Sequence, residues 1–164
     1  MLRTGEIFGF WQLTLADFSI QNGTPKLSNI KSFKPGSSPK FYETHGFTKD
    51  DRKLIFSSNS DSQTVTGFDI YLMDIATGKT INLTNTPKDW DEHAQISPDG
   101  SKVIWSSSTG GRLMQNDLWI MDIDGRNKRQ VTDFHTHAKS YYLGSNAFGP
   151  ADASWSPDGK SLIT

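Results

Sequence analysis

Three features of the 164-residue sequence predict an all-β fold built from repeated four-stranded antiparallel units. The turn Ser-Pro-Asp-Gly occurs twice between apolar residues, at positions 97–100 and 156–159. A shift of 49 residues lays Phe47 on Ile96, Asp50 on Asp99 and Ile55 on Ile104. With one residue lost in a loop, a shift of 48 then lays Asp69 on Asp117, Met73 on Met121, and Leu83-Thr84 on Val131-Thr132. No stretch carries a sustained helical period, whereas short apolar and aromatic runs recur. Four-stranded repeats of this length, with a turn signal after the first strand, are the mark of a β-propeller blade.

The elements follow in chain order. Residues 10–17 loosely resemble 69–74 and read as the closing half of an earlier unit, so residues 1–42 form a partial blade and its connection. A whole blade spans 43–90, with strands at 53–56 and 69–74, and a second spans 91–150, with strands at 102–105 and 117–122. Turns at 76–79 and 124–127 join the last two strands of each unit through Gly78 and Gly125. Residues 151–164 open a further blade. The chain is therefore expected to hold about two whole blades and two partial ones, as a piece of a larger propeller whose open edges invite association.

The Ser-Pro-Asp-Gly turn has a physical reading. Pro98 sets φ near -65° at the first central position, Asp99 tolerates the second, and Gly100 takes the left-handed position that returns the hairpin. Ser97 can bond the turn backbone. In the first unit the same place reads Thr48-Lys49-Asp50-Asp51, so Asp51 must carry the left-handed conformation at some cost.

Composition narrows function without naming it. Hydrophobic residues make up 34% and aromatic ones 12%, enough for a packed core. Formal charge is -1, so no global field favours nucleic acid or an anionic membrane. Cysteine is absent, which removes disulfides and thiolate metal sites and fits either a reducing or an oxidising compartment. No window reaches a membrane span, and the first 18 residues lack the apolar core of a signal peptide. Nucleophile-elbow, phosphate-loop, zinc-protease and dinucleotide fingerprints are missing.

The repeated residues resemble the propeller repeat of the TolB periplasmic protein. Its units run aromatic-Ser-Pro-Asp-Gly-Lys-x-apolar, then an apolar-x-x-Asp strand, then Leu-Thr. The matching residues are Ile96 to Gly100 with Lys102, Ile120-Met121-Asp122 with Gly125, and Val131-Thr132; Trp155 to Lys160 match more closely still. The resemblance runs from about residue 43 to the end. It implies a non-catalytic binding or scaffold module in a periplasmic or otherwise exported setting, contacting a protein or carbohydrate through rim loops. The same repeat occurs in the propellers of prolyl-oligopeptidase-type peptidases and in oligogalacturonate lyases, so an enzyme's propeller is the alternative.

Rim connections are where such a module would bind. Twelve positions separate Thr84 from Ile96 but 23 separate Thr132 from Trp155, so the second connection carries an insertion, over 133–152. Insertions in repeat arrays map to loops and often to the binding face. Within it, His135 and His137 stand two apart, and His93 with Asp91 on the neighbouring connection could complete a divalent metal site. Trp90, Tyr141 and Tyr142 are the rim aromatics that a carbohydrate or protein could use. No catalytic residue and no resident cofactor is expected beyond that possible metal. Asp69, Asp74, Asp117 and Asp122 recur once per blade, which fits strand-end capping better than a catalytic acid pair. The run 121–125 lacks the later ligands of a calcium loop, and the Asn22 and Asn82 glycosylation patterns would go unused in a bacterial exported setting.

Overall fold

The computed structural model describes residues 11–36, 40–62, 64, 66–108, 115–135 and 149–164. The described residues form strands and turns. The first sheet is a two-stranded hairpin of β1 (Leu13–Gln21) and β2 (Thr24–Phe33). A four-stranded antiparallel sheet follows, β3 (Tyr42–Phe47), β4 (Lys53–Ser58), β5 (Asp69–Asp74) and β6 (Thr80–Asn82), ordered as in sequence. A second has the same meander: β7 (Asp91–Ile96), β8 (Lys102–Ser107), β9 (Asp117–Asp122) and β10 (Arg129–Gln130). The chain ends on a hairpin of β11 (Ser154–Trp155) and β12 (Leu162–Ile163). Two four-stranded blades between two half-blades make a partial β-propeller.

The middle strands explain the continuous apolar runs, because each buries both faces. On β4 and β5, Leu54, Phe56, Tyr71 and Met73 face the β1–β2 hairpin and pack with Leu13, while Ile55, Ile70 and Leu72 face the second blade. On β8 and β9 the pattern repeats, with Val103, Trp105 and Met121 turned back on the first blade, and Ile104 and Leu118 turned forward onto Ala153 and Trp155. Period-two alternation thus sorts residues between two neighbours rather than between core and water. The repeat-position aromatics pair across strands within each blade, Phe56 on Tyr71 at 5.4 Å and Trp105 with Trp119 at 6.1 Å, while Phe56 and Trp105 also pack against the preceding unit.

First strands lie innermost and fourth strands outermost. β3 and β7 pack on each other, while β6 and β10 are largely exposed. Connections from a fourth strand to the next first strand are tied down by a repeated lock. The Asp69 carboxylate accepts from the Thr84 hydroxyl at 2.9 Å, the Thr86 amide at 2.6 Å and the Asn82 amide at 2.9 Å. Asp117 accepts in the same way from the Thr132 hydroxyl at 2.8 Å, the Phe134 amide at 2.8 Å and the Gln130 amide at 3.1 Å. Asp69 is 2% exposed, and these donors satisfy its buried oxygens. Asp74 accepts from the Thr77 amide and hydroxyl, and Asp122 from the Lys102 ammonium and the Asn127 amide, both at strand ends.

The three first hairpins are chemically equivalent. Ser97 donates to Asp99 at 2.6 Å and accepts from the Lys102 amide at 2.9 Å; Ser156, Asp158 and Ser161 repeat this at 2.7 and 2.9 Å. In the first blade Thr48 replaces the serine, donating to Asp50 at 2.7 Å and accepting from the Lys53 amide at 3.0 Å. Gly100 and Gly159 hold φ of 82° and 70°, and Asp51 holds 57° in the equivalent place. The missing proline and glycine therefore leave the hairpin intact but put a side chain in the left-handed region. Gly100→Ala is expected to lower stability by about 1–2 kcal/mol, and Asp51→Gly to raise it by about 0.5–1 kcal/mol, in urea unfolding.

Candidate functional site

Two β-bulges build the site. β3 pairs with β4 in register except between Thr44 and Gly46, and β7 with β8 except between Glu92 and Gln95. The extra residues change the direction of the inner strands' side chains, which is how bulges commonly serve sites. His45 and His93 emerge from them with ring centroids 6.1 Å apart. His93 itself sits at φ 57°, a conformation that costs energy for a side-chain-bearing residue. Sequence reasoning places His93 on a connection; it lies inside β7, because the strand begins two residues earlier at Asp91.

Carboxylates from three structural units converge on His93. Its Nδ1 lies 3.0 Å from Asp152 Oδ1, at the end of the inserted connection, and 4.0 Å from Glu43 Oε1 on β3. Its Nε2 lies 3.6 Å from Glu92 Oε2 on its own strand. Glu43 and Asp152 are open to solvent, whereas the Glu92 side chain is 7% exposed. Burial, with the Glu43 charge adding to it, pushes the Glu92 carboxyl up to about 7, against the pull of the indole N–H of Trp90, which donates to it at 2.5 Å. Burial, and secondarily His93, pushes His45 down to about 3, so it stays neutral while its Nε2 pairs with the Ser57 hydroxyl.

The residues singled out by sequence are divided by the structure. Trp90 is half-buried against Phe68, ring centroids 4.9 Å apart, and orients Glu92. Asp91 is 1% exposed and points inward, accepting from the Trp105 indole at 3.1 Å and from the Thr86 hydroxyl; burial pushes its carboxyl up to about 6. It locks the connection to the blade core. His135 is half-buried at the end of the described part of the insertion, while His137, Tyr141 and Tyr142 lie outside the described residues. Among the described residues no group of three or more His, Asp or Glu is placed to hold a metal ion.

The insertion is fixed at both ends. Asp117 takes the Phe134 amide at its start, and the Ser106 hydroxyl donates to the Pro150 carbonyl at 2.6 Å at its end. Gly149 is required there, since a Cβ would come within 1.7 Å of the Asn116 carbonyl oxygen. Residues the sequence reading passed over are Glu43, His45, Glu92 and Asp152. One signal was available: Glu43 and Glu92 share a repeat position under the 49-residue shift. His45 and Asp152 carry none, because their positions break the repeat.

No family model matches the sequence. An uncharacterized protein of Agrobacterium fabrum is 28% identical over 113 residues, covering 68% of this chain and 32% of the relative. Dipeptidyl-peptidase 5 of Porphyromonas gingivalis is 25% identical over 97 residues, 59% of this chain and 13% of the peptidase. The chain thus spans about a third or less of the length of these relatives. Among solved structures, TolB from Acinetobacter baumannii superposes with a TM-score of 0.57 at 23% identity, over 91% of this chain and 31% of that one. A putative TolB from Agrobacterium tumefaciens gives 0.54 at 23%, over 73% and 42%. An oligogalacturonate lyase in complex with manganese gives 0.54 at 20%, over 86% and 35%. The chain has the fold of these TolB-type propellers.

The buried Glu92 sets a pH dependence. Its folded-state value of about 7 lies above the ordinary 4.5, so the folded chain holds the proton more tightly and loses stability as pH rises through that window. Glu92→Gln keeps an acceptor for Trp90 without the charge. Its stability relative to the parent is expected to rise by about 1–3 kcal/mol between pH 5 and 8 in denaturant titrations. A flat difference would mean that Glu92 is solvated.

Proposed function

We propose that this chain is part of a non-catalytic binding propeller of an exported, periplasmic protein, and that it contacts a protein partner through the rim around the 133–152 insertion. The observation that carries the reading is the insertion itself: a lengthened connection hydrogen-bonded to the second blade at both ends, beside the open carboxylates Glu43 and Asp152. The sequence of this connection holds Tyr141 and Tyr142, and amphipathic aromatics suit a contact surface, since they lose little entropy on binding. The likeness to TolB structures supports a scaffold of this kind, and among the described residues no helix is long and apolar enough to cross a membrane. A photoreactive residue at Tyr141 is expected to cross-link a discrete partner in the native cell, and one at Lys79, on an outer turn, is not. The same species captured from both positions would remove the rim reading.

A second reading is favoured by the likeness to a dipeptidyl-peptidase: the propeller of a larger hydrolase, gating access to a catalytic domain. The other enzyme alternative is a lyase-like propeller acting on carbohydrate through a rim metal; with Asp91 committed to the core, it would rest on His93, His135 and His137. Titration of the chain with manganese or zinc tests it. A raised melting temperature abolished by His135→Ala/His137→Ala supports the metal, and an unchanged one removes it.

A further inference from the structure

The β1–β2 hairpin outruns the blade it belongs to. Leu13 packs with Leu54, Phe56 and Met73 of the first blade, as Leu72 packs with their repeat equivalents Val103, Trp105 and Met121 of the second, so Leu13 and Leu72 hold the same place. After Leu72 the first blade makes one further pair, Met73 with Thr80, and turns. After the equivalent pair, Thr14 with Ser32, the hairpin continues through six more, from Leu15–Lys31 to Gln21–Thr24. These add about 20 Å of strand beyond the level at which the whole blades turn back. A neighbouring blade with turns like those at 74–79 and 122–126 ends below this arm, whichever units precede it. A bulge at the base, where Asn29 holds φ 50° and donates to Asp17 at 2.6 Å, bends the arm away from the blade.

The arm has two unlike faces, because paired residues share a face and successive ones alternate. Phe18 opposite Leu27 and Ile20 opposite Pro25 make one face; Asp17, Ser19, Gln21 and their polar partners make the other. Phe18, Ile20, Leu27 and Ile30 are 63–66% exposed, and they are four of the nine large apolar side chains most open to solvent among the described residues. An apolar cluster of this kind, set on a sheet with one polar face, marks a contact surface.

We propose that this apolar face docks on an anionic lipid surface, the arm lying flat among the headgroups. Charge selects the occupant. The arm carries Lys26 and Lys31 against Asp17, which Asn29 engages. It leaves from the end of the molecule where the hairpin turns gather, since Lys31 shares a cleft with Arg52 and Asp74. The turns at 48–53, 74–79, 97–102, 122–129 and 156–160, with arm residues 15–31, hold eleven Lys and Arg against eight Asp, a formal +3 in a chain of -1. Apolar residues on one face and lysines on the other suit an interfacial element, and each lysine near an anionic surface adds attraction. Depth is limited by the backbone. A two-stranded hairpin has open edges whose amides cannot enter hydrocarbon, and its tip, Gln21 to Thr24, is polar. The rim reading concerns the other end of the blades and stands or falls separately.

Co-sedimentation of the chain with vesicles tests this. Binding is expected to vesicles of equal parts phosphatidylglycerol and phosphatidylcholine, to weaken as salt rises, and to be lost on phosphatidylcholine alone. Phe18→Ser/Leu27→Ser and, separately, Lys26→Glu/Lys31→Glu are expected to lower affinity for the anionic vesicles at least tenfold at an unchanged melting temperature. Ile81→Ser, at an equally open apolar position on β6, is expected to leave affinity as it is. A parent chain that binds neither vesicle, or both alike, overturns the proposal. So does binding that survives Phe18→Ser/Leu27→Ser.

Discussion

Face-to-face burial of neighbouring blades is the constraint on which the rest of this structure depends. A four-stranded sheet of six-residue strands has no interior of its own. Its middle strands are apolar on both faces, and each face is covered by a different neighbour. Burying an Ile or Phe contributes about 1.5–3 kcal/mol, and Ile55, Phe56, Ile70 and Ile104 are buried between neighbouring units. Stability is therefore shared between adjacent units, as in any repeat array, and a blade at an open end carries an unsatisfied face. Exposure of Ile163 and burial of Ile55 and Ile104 express one rule at three positions.

The same constraint frees the connections. Since blades are held by their faces, the segment from a fourth strand to the next first strand contributes little to the core and can change length. What it needs is a fixed departure point, and the Asp69 and Asp117 carboxylates supply one in each blade by gathering a threonine hydroxyl and backbone amides. Beyond Asp117 the chain runs into the insertion and returns to blade 2 at Pro150. A charged acceptor bonded to several donors is stronger than neutral pairs, so two different loop lengths leave from the same lock.

Where the inner strands meet, packing and electrostatics pull in different directions. Bulges in β3 and β7 set two imidazoles side by side, one neutral by burial and one surrounded by carboxylates. Glu92 is kept in a poorly solvated place by a single indole donor, and His93 accepts a left-handed backbone. Strain and desolvation of this kind persist only when the surroundings over-determine them. Here the over-determination comes from three units meeting at one point: Glu43, His93 and Asp152 belong to different sheets or connections.

The sequence by itself determined the blade. Period-two runs of apolar residues, the 49-residue repeat, the turn chemistry at 48–51, 97–100 and 156–159, and the extra length of 133–152 are local or periodic properties, readable wherever the chain is read. It also located the capping role of the repeated aspartates, which follows from their recurrence. Only the tertiary structure decided the site. Asp91 and His93 are two residues apart in sequence, yet one carboxylate is sealed in the core and the imidazole turns to the rim, because a bulge intervenes that no periodicity announces. Glu43 and Asp152 meet at His93 across more than a hundred residues for the same reason that the blades form: each sheet must cover its neighbour, and which side chains then share the space between them is a property of the pair.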